Sequence, residues 1–176
     1  MKDRIARAVR GPSWDIQTAR LDLTPIQREH AKLLFAALSE PALHAHTGGA
    51  PPASVDALAH RFTAWEARQS PDGSELWLNW MVRERSGGEA VGYVQATVVE
   101  SHADLAWVIG VPWQRRGYAS EAAGAVLAWL AGLGAGRVRA CIKPEHAASQ
   151  RVAERLGLLR SGAWIDGEEV WIAHLG

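Results

Sequence analysis

The chain of 176 residues has one cysteine, two methionines and no surplus of either charge. Cys141 alone cannot close an intramolecular disulfide, which fits a reducing cytoplasm. Nineteen lysines and arginines balance nineteen aspartates and glutamates. No net field therefore draws the protein toward nucleic acid or an anionic membrane, and neither is expected as a partner. No apolar run approaches the roughly 18 residues needed to span a bilayer. The basic stretch Met1–Gly11 is not followed by the apolar segment of a secretory signal. Both the G-x-G-x-x-G dinucleotide fingerprint and the Lys-Ser/Thr of a nucleotide P-loop are missing. His44 and His46 stand in a proline- and glycine-rich loop without a cysteine or carboxylate partner, so no metal is expected.

What is present describes one ordinary globular domain, 48% hydrophobic and 22% charged. Residues 1–18 carry mixed charges and a Gly-Pro pair and read as a loosely packed arm; residues 19–176 read as the domain. Arg20–Leu23 alternates as a half-buried strand. Thr24-Pro25 suits the start of a helix over Ile26–Leu38, and Ser54 suits the cap of a second helix reaching about Gln69. Leu76–Arg83 and Ala90–Val99 form a strand pair around a Ser-Gly-Gly turn. The strand Ala103–Val111 is nearly all apolar, as a central buried strand is. A long helix follows at Tyr118–Leu133, a strand at Val138–Ile142 and a helix at Ala147–Leu156. Ala163–Ile165 and Val170–His174 flank Asp166-Gly167, a tight-turn pair. The expected fold is mixed α/β, an open and mostly antiparallel sheet of about seven strands with about four helices on its faces. Nine tryptophans are expected chiefly in the core and rim, with one or two available to a pocket.

The chemistry concentrates where the apolar strand gives way to the long helix. Between them lies Gln114-Arg-Arg-Gly117-Tyr-Ala119-Ser120. Small residues at 117 and 119 allow a bulky anion to approach the backbone. The first turn of the helix has amides without an intrahelical partner, and its dipole favours negative charge. These features make a pyrophosphate cradle from main chain, with Arg115 and Arg116 supplying positive charge nearby.

Gln114–Ala119 matches the Q/R-x-x-G-x-G/A motif, with alanine in its last position. Tyr118-Ala-Ser-Glu-Ala122 looks like a characteristic helix opening, and Glu145-His-Ala-Ala-Ser-Gln-Arg-Val-Ala-Glu-Arg-Leu-Gly157 is similar to N-x-x-S-x-R-V-x-E-K-x-G-F. On these segments the chain resembles the GNAT superfamily of N-acyltransferases over roughly residues 19–175, within the branch of ribosomal-protein N-terminal acetyltransferases. His146 departs from the usual asparagine and Leu158 from the usual phenylalanine. The resemblance implies acetyl-CoA or another short acyl-CoA as cosubstrate. It also implies direct transfer to a primary amine, either a small molecule or a peptide or protein N-terminus. A homodimer is compatible with the sequence.

The same resemblance distributes the roles. Backbone amides of Ile109, Gly110 and Val111 would meet the thioester and stabilise its oxyanion. Gln114, Arg115, Arg116, Gly117, Tyr118, Ala119, Ser120 and His146 would contact the coenzyme. Ser149 would protonate the departing thiolate, its other readings being a cofactor contact or a helix cap. Asp104 takes the position of the base, with Glu100 and His102 as alternatives acting through water. The basic strand of Arg137, Arg139 and Lys143 is a solvated face that could reach the coenzyme 3′-phosphate. The acceptor pocket would be walled by His44–Ala53 and Ala163–Val170, whose Asp166, Glu168 and Glu169 favour a cationic or neutral amine. The rival function is an acyl-CoA-binding sensor without catalysis.

Overall fold

A computed structural model describes residues 1–10, 14–45, 49–100 and 102–175. In chain order the elements are α1 (Lys2–Ala8), β1 (Ile16–Gln17), β2 (Leu21–Pro25), α2 (Ala31–Leu38), α3 (Val55–Glu66), β3 (Leu76–Glu84), β4 (Ala90–Val98), β5 (Ala103–Ile109), α4 (Tyr118–Gly132), β6 (Arg137–Ile142), α5 (Ala147–Arg155), β7 (Leu159–Ile165) and β8 (Glu168–His174). All eight strands form one sheet in the order β1-β2-β3-β4-β5-β6-β8-β7. Every neighbouring pair is antiparallel except β5 with β6. No described helix is long and apolar enough to cross a membrane.

Alternation along the strands gives the sheet two apolar faces. On one face Leu78, Trp80, Val94, Leu105 and Ile109 pack under α4 and α1. On the other Met81 and Ala90 meet Leu34 and Leu38 of α2 and Leu58 and Phe62 of α3. A smaller cluster joins Ala153 of α5 to Ala140, Ile142 and Trp171. One helix start is set by a side-chain cap. Ser54 Oγ accepts from the Ala57 amide at 3.0 Å to open α3. The β7–β8 hairpin turns on Asp166 and Gly167, both at positive φ (49° and 80°), as a two-residue turn between right-twisted strands requires.

The sheet exceeds the expected seven strands by one and the helices exceed the expected four by one, and both additions lie in residues 1–18. The described residues of that segment send side chains into the core. Ile5 is fully buried, and Val9 and Trp14 are also in the core. The Trp14 ring meets Trp80 edge-on with centroids 4.7 Å apart, and Trp80 Nε1 donates to the Trp14 carbonyl at 3.2 Å. Arg68 donates to the Val9 carbonyl at 2.7 Å, and Lys2 Nζ donates to the Gly73 and Ser74 carbonyls. Mixed charge misled the reading because these cations bond backbone carbonyls while a few apolar groups insert beneath them.

The helix expected from Ile26 begins instead at Ala31. Pro25 pairs with Trp80 in the β2–β3 ladder, so sheet pairing overrides the helix-start signal, and a short 3-10 turn at Arg28–His30 intervenes. Strand β7 likewise reaches back to Leu159, where it pairs with Ile172 across a register shift.

If the arm is part of the core, Ile5→Ala removes a buried side chain that α4 and the sheet cannot replace. It should lower stability by about 2–4 kcal/mol in urea titration. An unchanged midpoint would show that α1 contributes nothing to the fold.

Candidate active site

The parallel ladder between β5 and β6 has only two rungs, Ala103↔Val138 and Asp104↔Arg139. Beyond Asp104 the rest of β5 is unpaired on that side, and a cleft of about 710 Å³ opens there. Strand β5 supplies one wall through Trp107, Val108 and Ile109; the α4 entry supplies another through Gln114, Arg115, Gly117, Tyr118, Ala119 and Ser120. The start of α5 closes it with Glu145, His146 and Ser149, and with Arg151 and Arg155 one turn apart.

Backbone direction along β5 decides which amides face this cleft. Ile109 lies opposite Gly92, and the next amide, Gly110 N–H, donates to the Val91 carbonyl at 2.8 Å. In an antiparallel ladder that pattern makes Ile109 a non-hydrogen-bonded pair, so its own N–H and C=O point away from β4. They point to the side that β6 has vacated. The Ile109 carbonyl accepts from Gln114 Nε2 at 2.9 Å, which ties the strand end to the loop. Of the three amides expected at the thioester, that of Ile109 is aimed into the cleft and that of Gly110 is consumed by the sheet. Gly110 is small for another reason: a Cβ there would lie 3.0 Å from Ala37 Cβ and Trp113. Neither Val111 nor Arg116 lines the cleft.

The loop before α4 has Arg115 at φ 64° and Gly117 at φ 84°. Left-handed residues of this kind curl successive amides to one side and make an anion-binding concavity. Gly117 is required on two counts, since a Cβ would also come within 3.3 Å of Arg20 Nη2. Ser120 lines the cleft with a buried hydroxyl that has no partner among the described residues. A phosphate or amide group of a ligand would satisfy it. Cradle, orphaned hydroxyl and three guanidiniums (Arg115, Arg151, Arg155) fit a polyphosphorylated cofactor.

Arg20, which β2 presents to this loop, holds it in shape. Its guanidinium donates to the Arg116 carbonyl at 3.0 Å and to Glu121 at 2.7 Å, and lies over the Tyr118 ring, 4.8 Å from its centroid. Glu121, in the first turn of α4, also accepts from Thr18 Oγ1 at 2.6 Å and from the Arg20 amide at 2.9 Å. Burial alone would raise this carboxyl, but the bonds from Thr18 and Arg20 hold it below its ordinary value. Tyr118 donates its hydroxyl to Glu84, and that bond raises the phenol above its usual range. Tyr118 is thus chiefly a strut between β3 and the loop.

Ser149 Oγ lies 3.5 Å from His146 Nε2, both on the cleft wall. Asp104 is elsewhere. Arg139 engages it with both arms of its guanidinium, His102 Nε2 is 3.4 Å away, and Asp104 lines neither cavity described here. At the last β5–β6 rung it is engaged in an ion pair; Glu100 lines neither cavity either. Arg139 is committed to the same pair, and Arg137 and Lys143 do not reach the cleft. The basic residues that do, Arg151 and Arg155, were missed. Their signal was the i, i+4 spacing that continues the face begun by Ala147.

A second cavity of about 220 Å³ adjoins the first and shares Leu43 and Val108 with it. Leu38, His44, Arg61 and Tyr93 complete most of its wall. The loop between α2 and α3 is therefore at the expected place, although His46 falls outside the described residues. The β7–β8 hairpin is not. Asp166, Glu168 and Glu169 line neither cavity. Glu169 pairs instead with Arg160 at 2.9 Å. The charge expected from the hairpin is thus absent from the described wall. Cys141, half-buried, has its thiol raised by desolvation and is not an activated nucleophile. Among the described residues no group of His, Cys, Asp or Glu is placed to hold a metal ion.

An open mixed sheet is parted at one parallel pair, with an anion cradle at the following helix. Residues 20–159 match the family described as acetyltransferase (GNAT) domain, and the chain belongs to that family. Members use acetyl-CoA. Similar solved structures include a Vibrio cholerae protein described as a ribosomal-protein-serine acetyltransferase, 22% identical, with a TM-score of 0.75 over 93% of this chain and 98% of that one. A GNAT-family acetyltransferase from Bacillus anthracis is 20% identical, with a TM-score of 0.74 over 91% and 98%. RimL, a ribosomal L7/L12 alpha-N-protein acetyltransferase solved with coenzyme A, is 16% identical, with a TM-score of 0.73 over 92% and 98%. These likenesses show the fold. No curated protein sequence matches the chain.

If Arg20 preorganises the cradle, Arg20→Met should weaken coenzyme A binding by roughly fivefold, about 1 kcal/mol, in calorimetric titration. The ligand-free melting temperature should move little, because the pair is half-exposed. Unchanged affinity would show that the loop keeps its shape without the guanidinium.

Proposed function

We propose that the protein is an N-acetyltransferase that moves the acetyl group of acetyl-CoA directly to a primary amine. The observation that carries this reading is the pairing of an anion cradle with the cleft-facing amide of Ile109 along one continuous wall. The coenzyme pyrophosphate sits on the amides of Gly117–Ser120. Arg115, Arg151 and Arg155 complement its phosphates. The pantetheine runs beside the unpaired edge of β5, and the thioester oxygen meets Ile109 N–H.

In this reading the neutral amine attacks the thioester carbonyl, and negative charge on the carbonyl oxygen is met by the Ile109 amide. As the tetrahedral adduct collapses, the C–S bond breaks and Ser149 gives its hydroxyl proton to the thiolate. The serine recovers a proton through His146, and the amine nitrogen releases its own to solvent. A free α-amine titrates near about 8, so a useful fraction is neutral without a dedicated base. That is consistent with an Asp104 locked to Arg139. A small-molecule amine or a peptide α-amine satisfies this chemistry, the latter in keeping with the ribosomal-protein acetyltransferases whose fold the chain shares.

The rival is a sensor that binds acyl-CoA without turning it over. Steady release of coenzyme A thiol with any amine rejects it.

Two outcomes test the assignment. Gly117→Glu should abolish the rise in melting temperature produced by acetyl-CoA, because a carboxylate would occupy the pyrophosphate position in a strained backbone. A folded variant with the full rise would place the cradle elsewhere. Ser149→Ala should lower kcat by about 10- to 1000-fold with little change in coenzyme affinity. If affinity collapses and kcat at saturation stays normal, Ser149 is a ligand and not the acid.

A further inference from the structure

The cavity behind Val108 carries information about the acceptor. It shares Leu43 and Val108 with the coenzyme cleft and so borders that cleft beside the Ile109 amide. Its lining is mostly apolar, and no described lining residue is acidic. Arg61 is its one permanent cation. That side chain comes from α3, beside the buried Leu58 and Phe62 that fix the helix on the sheet. It makes no ion pair with any described residue. His44 spends one ring nitrogen on the backbone. Its Nε2 is 2.8 Å from the Leu38 carbonyl, a partner that can only accept, so in the neutral ring the remaining nitrogen is also an acceptor. Tyr93 stands opposite, packed on Trp65 with centroids 5.4 Å apart, and its burial keeps the phenol neutral as a hydroxyl donor.

We propose that this cavity is the acceptor pocket and that it selects small primary amines carrying a carboxylate, which Arg61 binds. The proposal rests on the transferase reading above and names its substrate class. A guanidinium offers a carboxylate two parallel donors and repels a second ammonium, so amino acids fit and polyamines do not. The volume, about 220 Å³, lies below the range of pockets that enclose drug-sized ligands, which suits an acceptor of amino-acid size. With the amine toward Val108 and the carboxylate toward α3, the apolar wall of Leu38, Leu43 and Ala50 receives the side chain.

The test uses matched acceptors: leucine, leucinamide and isoamylamine, then phenylalanine, phenylalaninamide and phenethylamine. Thiol release is measured at saturating acetyl-CoA. For at least one set the free acid should exceed its amide and its simple amine in kcat/KM by roughly 10- to 100-fold. The amide is the less basic amine and has more of its neutral form, so a preference for the acid over its amide does not arise from protonation; the simple amine is the more basic, and the acid–amide comparison is therefore the deciding one. Arg61→Gln should erase the preference through acceptor KM, leaving the KM for acetyl-CoA and the coenzyme-induced thermal shift unchanged, and Arg61→Lys should restore part of it. Amides or simple amines equal to the acids in the wild type overturn the proposal, as does a preference that survives in Arg61→Gln. Turnover of peptide amines with none of the six compounds overturns it while leaving the transferase reading intact. Absence of turnover with every amine removes that reading and this proposal together.

Discussion

Two rungs of parallel pairing between β5 and β6, and no more, set the character of this molecule. A sheet this wide normally satisfies its backbone by continuing each ladder to the strand end. Here the ladder stops at Asp104 and Arg139, whose side chains close the last rung with a two-armed ion pair. Beyond that rung the backbone of β5 is left with donors and acceptors directed into a cleft. An extended molecule with amide groups can complete the missing strand. The ion pair therefore does more for the fold as a wedge at the vertex than it would as a source of stability, since exposed pairs contribute little.

The second dependency is the fixed shape of the loop at 114–120. Backbone amides bind an anion well only if they already converge. That requires left-handed residues, which tend to relax unless their surroundings hold them. The surroundings here are distant in sequence: Thr18 and Arg20 from the turn between β1 and β2, and Glu84 from the end of β3. Glu121 illustrates the coupling. As an acid in a helix first turn it favours the dipole, yet it would also oppose an incoming anion. Its engagement by Thr18 and Arg20 spends that charge on the scaffold.

Local signals were legible where one residue type has one physical use. Gly117 announces a left-handed turn, Ser54 a cap, Asp166-Gly167 a hairpin, and a continuous apolar run the central strand. The cradle was readable because all of its parts lie within seven residues. Relations across the sheet were not. Asp104 sits where a base is expected, but nothing local reveals Arg139 opposite it. The acidic hairpin looked like part of the acceptor wall until its strands were placed at the far edge, beyond β6. The arm was misread because three apolar anchors among charged residues give no periodicity.

That arm has a consequence for biosynthesis. Its apolar residues are made well before their partners. Trp14 needs Trp80, 66 positions on, and the α1 end contacts Gly132 across a separation of 128. At ordinary elongation rates the gap amounts to on the order of ten seconds. During that interval Ile5, Val9 and Trp14 have nothing native to cover them. A segment translated this far ahead of its partners is thus among the last to be seated, and until then it is an uncovered apolar stretch of the kind that chaperones hold.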